Sequence, residues 1–187
     1  MMANTGGTIL VTGASRGIGR ATSNRLTRGG HDVIGLARNP PEDEFVGEFH
    51  AVDLADRSAT AAMLEEIATG GEITGLVNNV GINRVQSLGE VDLDVFDEII
   101  DINLRTAIQC AQAVLPGMKA RGSGRIVNIS SRAALGREGR AGYSAAKAGV
   151  LSLTRTWALE LAEHGITANA VAPGPTATEM FRLNNMD

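Results

Sequence analysis

The sequence is poor in aromatic rings and poorer still in thiols. Its 187 residues include one tyrosine, one tryptophan, four phenylalanines and one cysteine. A single cysteine excludes an internal disulfide. Cys110 lies in the apolar run Ala107-Ile108-Gln109-Cys110-Ala111, where a thiol reads as buried core rather than as a nucleophile. That usage fits a reducing cytosol, and no His/Cys cluster offers a metal site. No segment approaches the length of a membrane span. Residues 1–7 run straight into a strand with no basic or long apolar leader, so the chain reads as cytoplasmic. A net charge of only −4 argues against a broad nucleic-acid surface. With 43% hydrophobic and 20% charged residues the composition is soluble and globular, and the length suits a single domain over residues 1–187.

Glycine, by contrast, is plentiful, and its placement carries information. Thr8-Ile9-Leu10-Val11 is a short β-branched run ending in Thr12-Gly13-Ala14-Ser15-Arg16-Gly17-Ile18-Gly19-Arg20, followed by a helical pattern to Arg28. Glycines at 13, 17 and 19 permit a tight turn and close approach of backbone to a ligand, and the N–H groups opening the helix favour a pyrophosphate. A glycine triplet alone is weak; the strand before it and the helix after it are the context that a dinucleotide site requires. The second strand, His31 to Arg38, ends in Ala37 and Arg38 where an NAD site places an acid for the ribose diol. Arg38, with Arg16 of the glycine loop, suits a 2′-phosphate instead and predicts NADP. A third strand, Glu48 to Val52, leads to Asp53, which either meets the adenine end of the cofactor or turns the chain into the helix Arg57–Thr69. His31 and His50 read as strand-surface residues.

Ile73 to Gly81 is a buried strand whose end carries Asn78 and Asn79, amides that either brace neighbouring strands or line a cofactor cleft. A helical pattern from Asp92 to Ile102 continues to Arg121, which sets Asn103 inside a helix where asparagine is a poor former. Arg125 to Ser131 is a strand delivering Ser130 and Ser131 at its end. The sole tyrosine, Tyr143, precedes Lys147 by four positions and shares a face with it on a helix running to His164. An ammonium beside a phenol favours the phenolate, so Lys147 is expected to lower the pKa of Tyr143 and make it a usable general acid or base. A final strand, Ile166 to Ala172, enters Pro173-Gly174-Pro175-Thr176-Ala177-Thr178. Strands and helices alternate throughout, which predicts an α/β fold with a doubly wound parallel sheet and a ligand at the carboxyl ends of the strands.

The helix 143–163 carries Ala145, Val150, Leu151, Leu153, Trp157 and Leu161, a wider apolar surface than one sheet face needs. The helix 104–121 has the same surplus. Two subunits pairing these helices about a two-fold axis would bury both, predicting a homodimer.

With the glycine loop, Asn78-Asn79-Val80-Gly81, Asn103, Ser131, the Tyr143/Lys147 pair and Pro173-Gly174 in one order, nearly the whole chain resembles the short-chain dehydrogenase/reductase family. It is closest in flavour to the β-ketoacyl-acyl-carrier-protein reductases. The resemblance implies a Rossmann fold and an NADP(H)-dependent transfer of hydride between nicotinamide and a carbonyl or secondary alcohol, a 3-oxoacyl thioester included. It implies catalysis by Ser131, Tyr143 and Lys147, with Asn103 supporting a water-linked proton relay. It makes Thr12, Gly13, Ser15, Arg16, Gly17, Ile18 and Gly19 cofactor contacts, together with Arg38, Asp53, Leu54, Asn79, Tyr143, Lys147, Val171, Pro173 and Gly174. Thr176 and Thr178 fall near the nicotinamide amide.

Departures from the family pattern are specific. Val80 stands where the family has alanine and would crowd the cleft. Ser131 lies twelve positions before Tyr143, one closer than expected, which leaves Ser130 as a second candidate hydroxyl. Glu163-His164 stands where a basic carrier-docking residue is expected, while Arg132, Arg137 and Arg140 crowd the loop before Tyr143 and could meet an acidic carrier or an anionic substrate. The sequence also reads as truncated before the family's usual last strand and helix, which hold a second interface, so a tetramer is expected only with such a tail. The alternative function is a non-catalytic dinucleotide-binding module whose activity was lost with that segment.

Overall fold

The computed structural model describes residues 6–183. Six strands, β1 (Thr8–Thr12), β2 (Asp32–Ala37), β3 (Glu48–Ala51), β4 (Ile73–Asn78), β5 (Gly124–Ile129) and β6 (Ile166–Val171), form one sheet in the order β3-β2-β1-β4-β5-β6. Every pairing is parallel, so the chain must cross over the sheet between neighbours. Helices α1 (Gly17–Arg28), α2 (Arg57–Gly70), α3 (Leu93–Ile100), α4 (Thr106–Arg121) and α5 (Ala141–Leu161) fill every crossover except that from β2 to β3, which residues 38–47 make without a helix, and a short α6 (Glu179–Leu183) follows β6. The chain builds outward from β1 through β2 to β3, then returns to the other side of β1 as β4. That reversal opens a crevice at the carboxyl ends of β1 and β4. The doubly wound Rossmann arrangement expected from the sequence is the one observed.

The central strands are covered on both faces, which is why they read as unbroken apolar runs. On one face Leu10, Leu76 and Ile126 pack beneath Leu64 of α2, Cys110 and Met118 of α4, and Leu161 of α5. On the other, Val11, Val33 and Val77 meet Leu26 of α1 and the rings of Phe45 and Phe49. Truncating a fully buried leucine such as Leu76 in such a layer costs about 2–5 kcal/mol. Burial pushes the Cys110 thiol up to about 12, so it is core and not chemistry. No described helix is long and apolar enough to cross a membrane.

Several expectations are adjusted. Asp56, not Asp53, caps α2: its Oδ1 accepts from the backbone N–H of Ser58 at 2.9 Å and of Ala59 at 3.0 Å. The helical stretch from Leu93 to Arg121 is not uniform, because residues Asp101–Arg105 form a π-helical turn between α3 and α4. Trp157 is only partly exposed and packs against the core layer, whereas Leu159, two residues along the same helix and so turned to its other side, stays 83% exposed. The outward apolar surplus of α5 therefore centres on Leu159 more than on the tryptophan.

A buried polar chain ties α5 to the sheet. Asn78 Nδ2 donates to Asn128 Oδ1 at 2.8 Å, Asn128 Nδ2 donates to Thr154 Oγ1 at 2.9 Å, and the threonine donates to Val150 O at 2.7 Å. Left unpaired, each buried group would cost about 1–3 kcal/mol, so the network fixes the register of α5 on β4 and β5. It also shows Asn78 to be a brace between strands.

Candidate active site

A cavity of about 1050 Å³ lies at the carboxyl ends of the strands, lined from the glycine loop at one end to Tyr143 and Lys147 at the other. Gly13, Ser15, Arg16, Gly17, Ile18, Arg38, Asp53, Leu54, Asn79, Ser131, Pro173, Gly174, Thr176 and Thr178 all line it. Of the remaining expected site residues, Thr12, Gly19, Asn103 and Val171 do not.

Each of the exceptions near the loop has a visible reason. Gly19 faces inward, where a Cβ would sit 2.1 Å from Gly13 O, so its missing side chain lets α1 close against the loop. Thr12 is fully buried, and its Oγ1 accepts from the backbone N–H of Asn79 at 3.0 Å and of Val80 at 3.1 Å. Asn79 returns the tie, its Nδ2 donating to Thr12 O at 2.9 Å and Gly13 O at 3.1 Å. The end of β4 thus holds the glycine loop in shape. Val80 packs partly against the core while lining the cavity, so the extra bulk relative to alanine is shared between the two.

The first turn of α1 has no side-chain cap, because the N-cap position is Arg16 and its side chain makes no cap hydrogen bond. Those N–H groups face the cavity at the positive end of a helix dipole, a setting suited to a pyrophosphate. Arg16 and Arg38 stand at the same end of the cavity. Arg16 Nη1 is ion-paired with Glu179 Oε2 of α6, a partner that nothing in the sequence announced. Asp53 accepts from Ala55 N at 3.0 Å, a turn-forming role at the rim of the same cavity. Uncapped donors, flanking guanidiniums and closely packed glycines make a donor set that fits a dinucleotide diphosphate.

At the other end, Tyr143 and Lys147 stand one turn apart on α5, the lysine Nζ 5.7 Å from the centre of the tyrosine ring. The tyrosine hydroxyl is hydrogen-bonded to Ser131. Burial raises the pKa of Tyr143, with the Ser131 hydrogen bond and the charge of Arg140 acting the other way. Lys147 is not what lowers it. The ammonium is itself buried, donates to Ile129 O at 2.9 Å, and is pushed down to about 8. The expected tuning of the phenol by Lys147 is therefore corrected: desolvation dominates both groups, and the nearby charge that opposes it is Arg140.

The hydrogen bonds separate the two serines. Ser130 is buried, and its Oγ donates to Lys147 O at 2.7 Å, tying the end of β5 to α5. Ser131 Oγ accepts from Ala133 N at 3.1 Å and faces Tyr143.

Asn103 explains the π-turn. Its Nδ2 donates to Ile99 O and to Ile82 O, both at 2.8 Å. Ile99 O is the carbonyl that a regular α-helix would offer to the backbone N–H of residue 103, so the side chain has entered the helical ladder. Asn103 Oδ1 is buried and has no hydrogen-bond partner among the described residues. It looks toward Gly81, where a Cβ would sit 2.5 Å from that oxygen and 3.3 Å from Lys147 Nζ. Only glycine leaves a passage between the amide and the lysine. Gly81 and the buried Asn83, whose Oδ1 is likewise unpartnered among the described residues, line the cavity and went unassigned in the sequence. The run Asn78-Asn79-Val80-Gly81 was a signal for the first, and nothing local marks the second.

Comparison with known proteins agrees with this geometry. A sequence profile described as short chain dehydrogenase matches residues 7–187. The 3-oxoacyl-acyl-carrier-protein reductase of Vibrio harveyi is 40% identical over 95% of this chain and 77% of its own length. A short-chain reductase of Streptomyces niveus is 40% identical over 91% of this chain and 70% of its own. Among solved structures, a candidate NAD(P)-dependent gluconate 5-dehydrogenase from Beutenbergia cavernae with NADP bound at low occupancy superposes with a TM-score of 0.90, at 36% identity, covering 95% of this chain and 76% of that one. The ligand-free aldohexose dehydrogenase of Thermoplasma acidophilum superposes at 0.88 with 31% identity, covering 94% and 69%. The glycine loop, the strand-end crevice and the paired Tyr143 and Lys147 are thus set in a chain that belongs to the short chain dehydrogenase family of oxidoreductases.

Proposed function

We propose that the protein is an NADP(H)-dependent oxidoreductase that moves hydride between a nicotinamide and a carbonyl or secondary alcohol carbon. The observation that carries this reading is the Ser131–Tyr143 hydrogen bond on the wall of a cavity that continues to the uncapped N-terminus of α1. The nicotinamide ring would supply or accept the hydride. The chain's own residues do the rest. Ser131 holds the substrate oxygen, Tyr143 gives or takes its proton, and Lys147 reaches the ribose side while sharing a passage with Asn103 past Gly81. The first turn of α1 takes the pyrophosphate, and Arg16 and Arg38 take the 2′-phosphate.

Replacing Tyr143 by Phe removes the proton-transfer group and keeps the ring. Turnover is expected to fall by about 10²–10⁴ while NADPH binding persists. A Y143F protein that binds NADPH and keeps turnover within about threefold of wild type overturns the assignment.

The half-buried apolar positions Leu104, Ile108, Leu151 and Leu153, with exposed Leu159, support a homodimer through α4 and α5. A monomeric mass by light scattering at tens of micromolar would count against it.

A further inference from the structure

We propose that Arg105 is a positioning residue for the cofactor, holding residues 53–55 as the wall against which the adenosine half of a dinucleotide binds; this rests on the oxidoreductase reading above. The loop follows β3, and Val52 N–H donates to Ala37 O at 2.9 Å, so Asp53 leaves the sheet beside Arg38 at the end of β2. Asp53, Leu54 and Ala55 line the cavity together with Arg38. The loop's internal bonds are local: Asp53 Oδ1 accepts from Ala55 N and Asp53 O accepts from Asp56 N, both at 3.0 Å. They shape a turn without tying its backbone to the rest of the protein, and Leu54 alone of the three buries its side chain.

The tie comes from the far side of the π-turn. Arg105 Nη2 donates to Leu54 O at 2.9 Å and to Ala55 O at 3.2 Å. The guanidinium is itself aimed by its other bonds: Nε donates to Asp101 Oδ1 at 3.0 Å, Nη2 also meets Asp101 Oδ2, and Nη1 donates to Gln109 Oε1 at 2.7 Å. Gln109 Nε2 donates to Arg57 O and Arg57 Nη2 to Asp101 Oδ1, both at 2.8 Å, so the start of α2 is held by the same group. A planar fork of five donors can meet a carboxylate, an amide and two carbonyls at once, which an ammonium cannot. The side chains of Arg105 and Asp101 are 18% and 23% exposed, so salt screens this pair less than an open surface pair. Asn103 and Arg105 lie two residues apart in the π-turn and so point to nearly opposite sides of the helix. One meets Ile82 and Ile99, the other the loop, and Asn103 keeps its own bonds when Arg105 is changed.

The test is fluorescence titration of NADPH and NADH, and displacement of bound NADPH by adenosine monophosphate, in wild type, Arg105→Met and Arg105→Lys. R105M should weaken both dinucleotides alike by about five- to thirtyfold, the range that one backbone residue left unfixed in the free protein supplies. Adenosine monophosphate should lose affinity by the same factor. R105K keeps a charge for Asp101 but not the fork, so it should fall between the two, and it carries the test if R105M does not fold. With a simple ketone the loss should appear in the KM for NADPH, while kcat at saturating NADPH stays within about twofold of wild type, a split that general loosening of the fold would not produce. Unchanged affinity for adenosine monophosphate in a folded variant, or a fall in kcat with KM unmoved, would overturn the role of Arg105 and leave the oxidoreductase standing. A wild type that binds NADPH but reduces no ketone would count against the oxidoreductase reading, while the titrations still decide Arg105. A wild type that binds neither nucleotide would overturn both.

Discussion

Arg16 Nη1 lies 2.5 Å from Glu179 Oε2, so the arginine proposed to receive a 2′-phosphate is already engaged by a carboxylate from α6. Both side chains are more than half exposed, and a pair of that kind contributes only about 0.2–1 kcal/mol. Glu179→Gln should therefore tighten NADPH by about 1.4- to 5-fold and leave NADH unchanged, since NADH has no phosphate to compete. Titration by nucleotide fluorescence at low salt decides it, and equal changes for the two nucleotides would remove Arg16 from phosphate recognition.

Tyr143 should govern the pH dependence. Burial raises its pKa, so at neutral pH the hydroxyl keeps its proton and is ready as an acid. Reduction should hold a plateau in kcat/KM through neutrality and fall only at alkaline pH. Oxidation, which needs the phenolate, should climb with pH across the same range. Profiles in both directions check this, and a reduction rate falling between pH 6 and 8 would show a lowered phenol instead.

Lys147 should be a stability cost in the cofactor-free protein. Its folded pKa is about 8 against 10.5 for the free side chain, so between those values the unfolded chain holds a proton that the folded one has lost. Stability from this group rises with pH across that window, and the penalty is fully present below pH 8. Lys147→Met should abolish turnover yet stabilise the folded protein at pH 7, by up to roughly 3 kcal/mol, with the gain shrinking toward pH 10. Urea melts at the two pH values measure it; a variant less stable at pH 7 would mean that the bond to Ile129 O outweighs the burial.

The two serines should part company. Ser131→Ala is expected to cut turnover sharply, because it removes a group facing the substrate, while the lost cap bond to Ala133 N costs about 0.5–2 kcal/mol of stability. Ser130→Ala removes a buried bond to Lys147 O and should cost about 1 kcal/mol of stability, with a smaller effect on turnover. Paired thermal melts and single-turnover rates separate them.

The order of strands and helices was legible in the sequence because every crossover but the one from β2 to β3 repeats a local rule: a buried apolar run, a turn, an amphipathic helix. The glycine loop and the Tyr143/Lys147 pair were legible for the same reason, since each lies within one turn or one helix and its geometry follows from residue spacing. What lay beyond local spacing needed the tertiary structure. Helical periodicity continues through Asn103, yet the π-turn exists because its amide competes for Ile99 O, and that competition depends on Ile82 reaching it from another segment. The sign of the Tyr143 shift was misjudged from the sequence because proximity of an ammonium is visible in spacing while desolvation is not: burial is set by every element that closes over the site. That Ser130 rather than Ser131 bonds to Lys147 O turned on which side of a strand end meets α5. The Arg16–Glu179 pair joins residues 163 positions apart. The sequence by itself determined the fold and the chemical groups; the packed structure decided their charge states and partners, because those depend on contacts that only a closed chain makes.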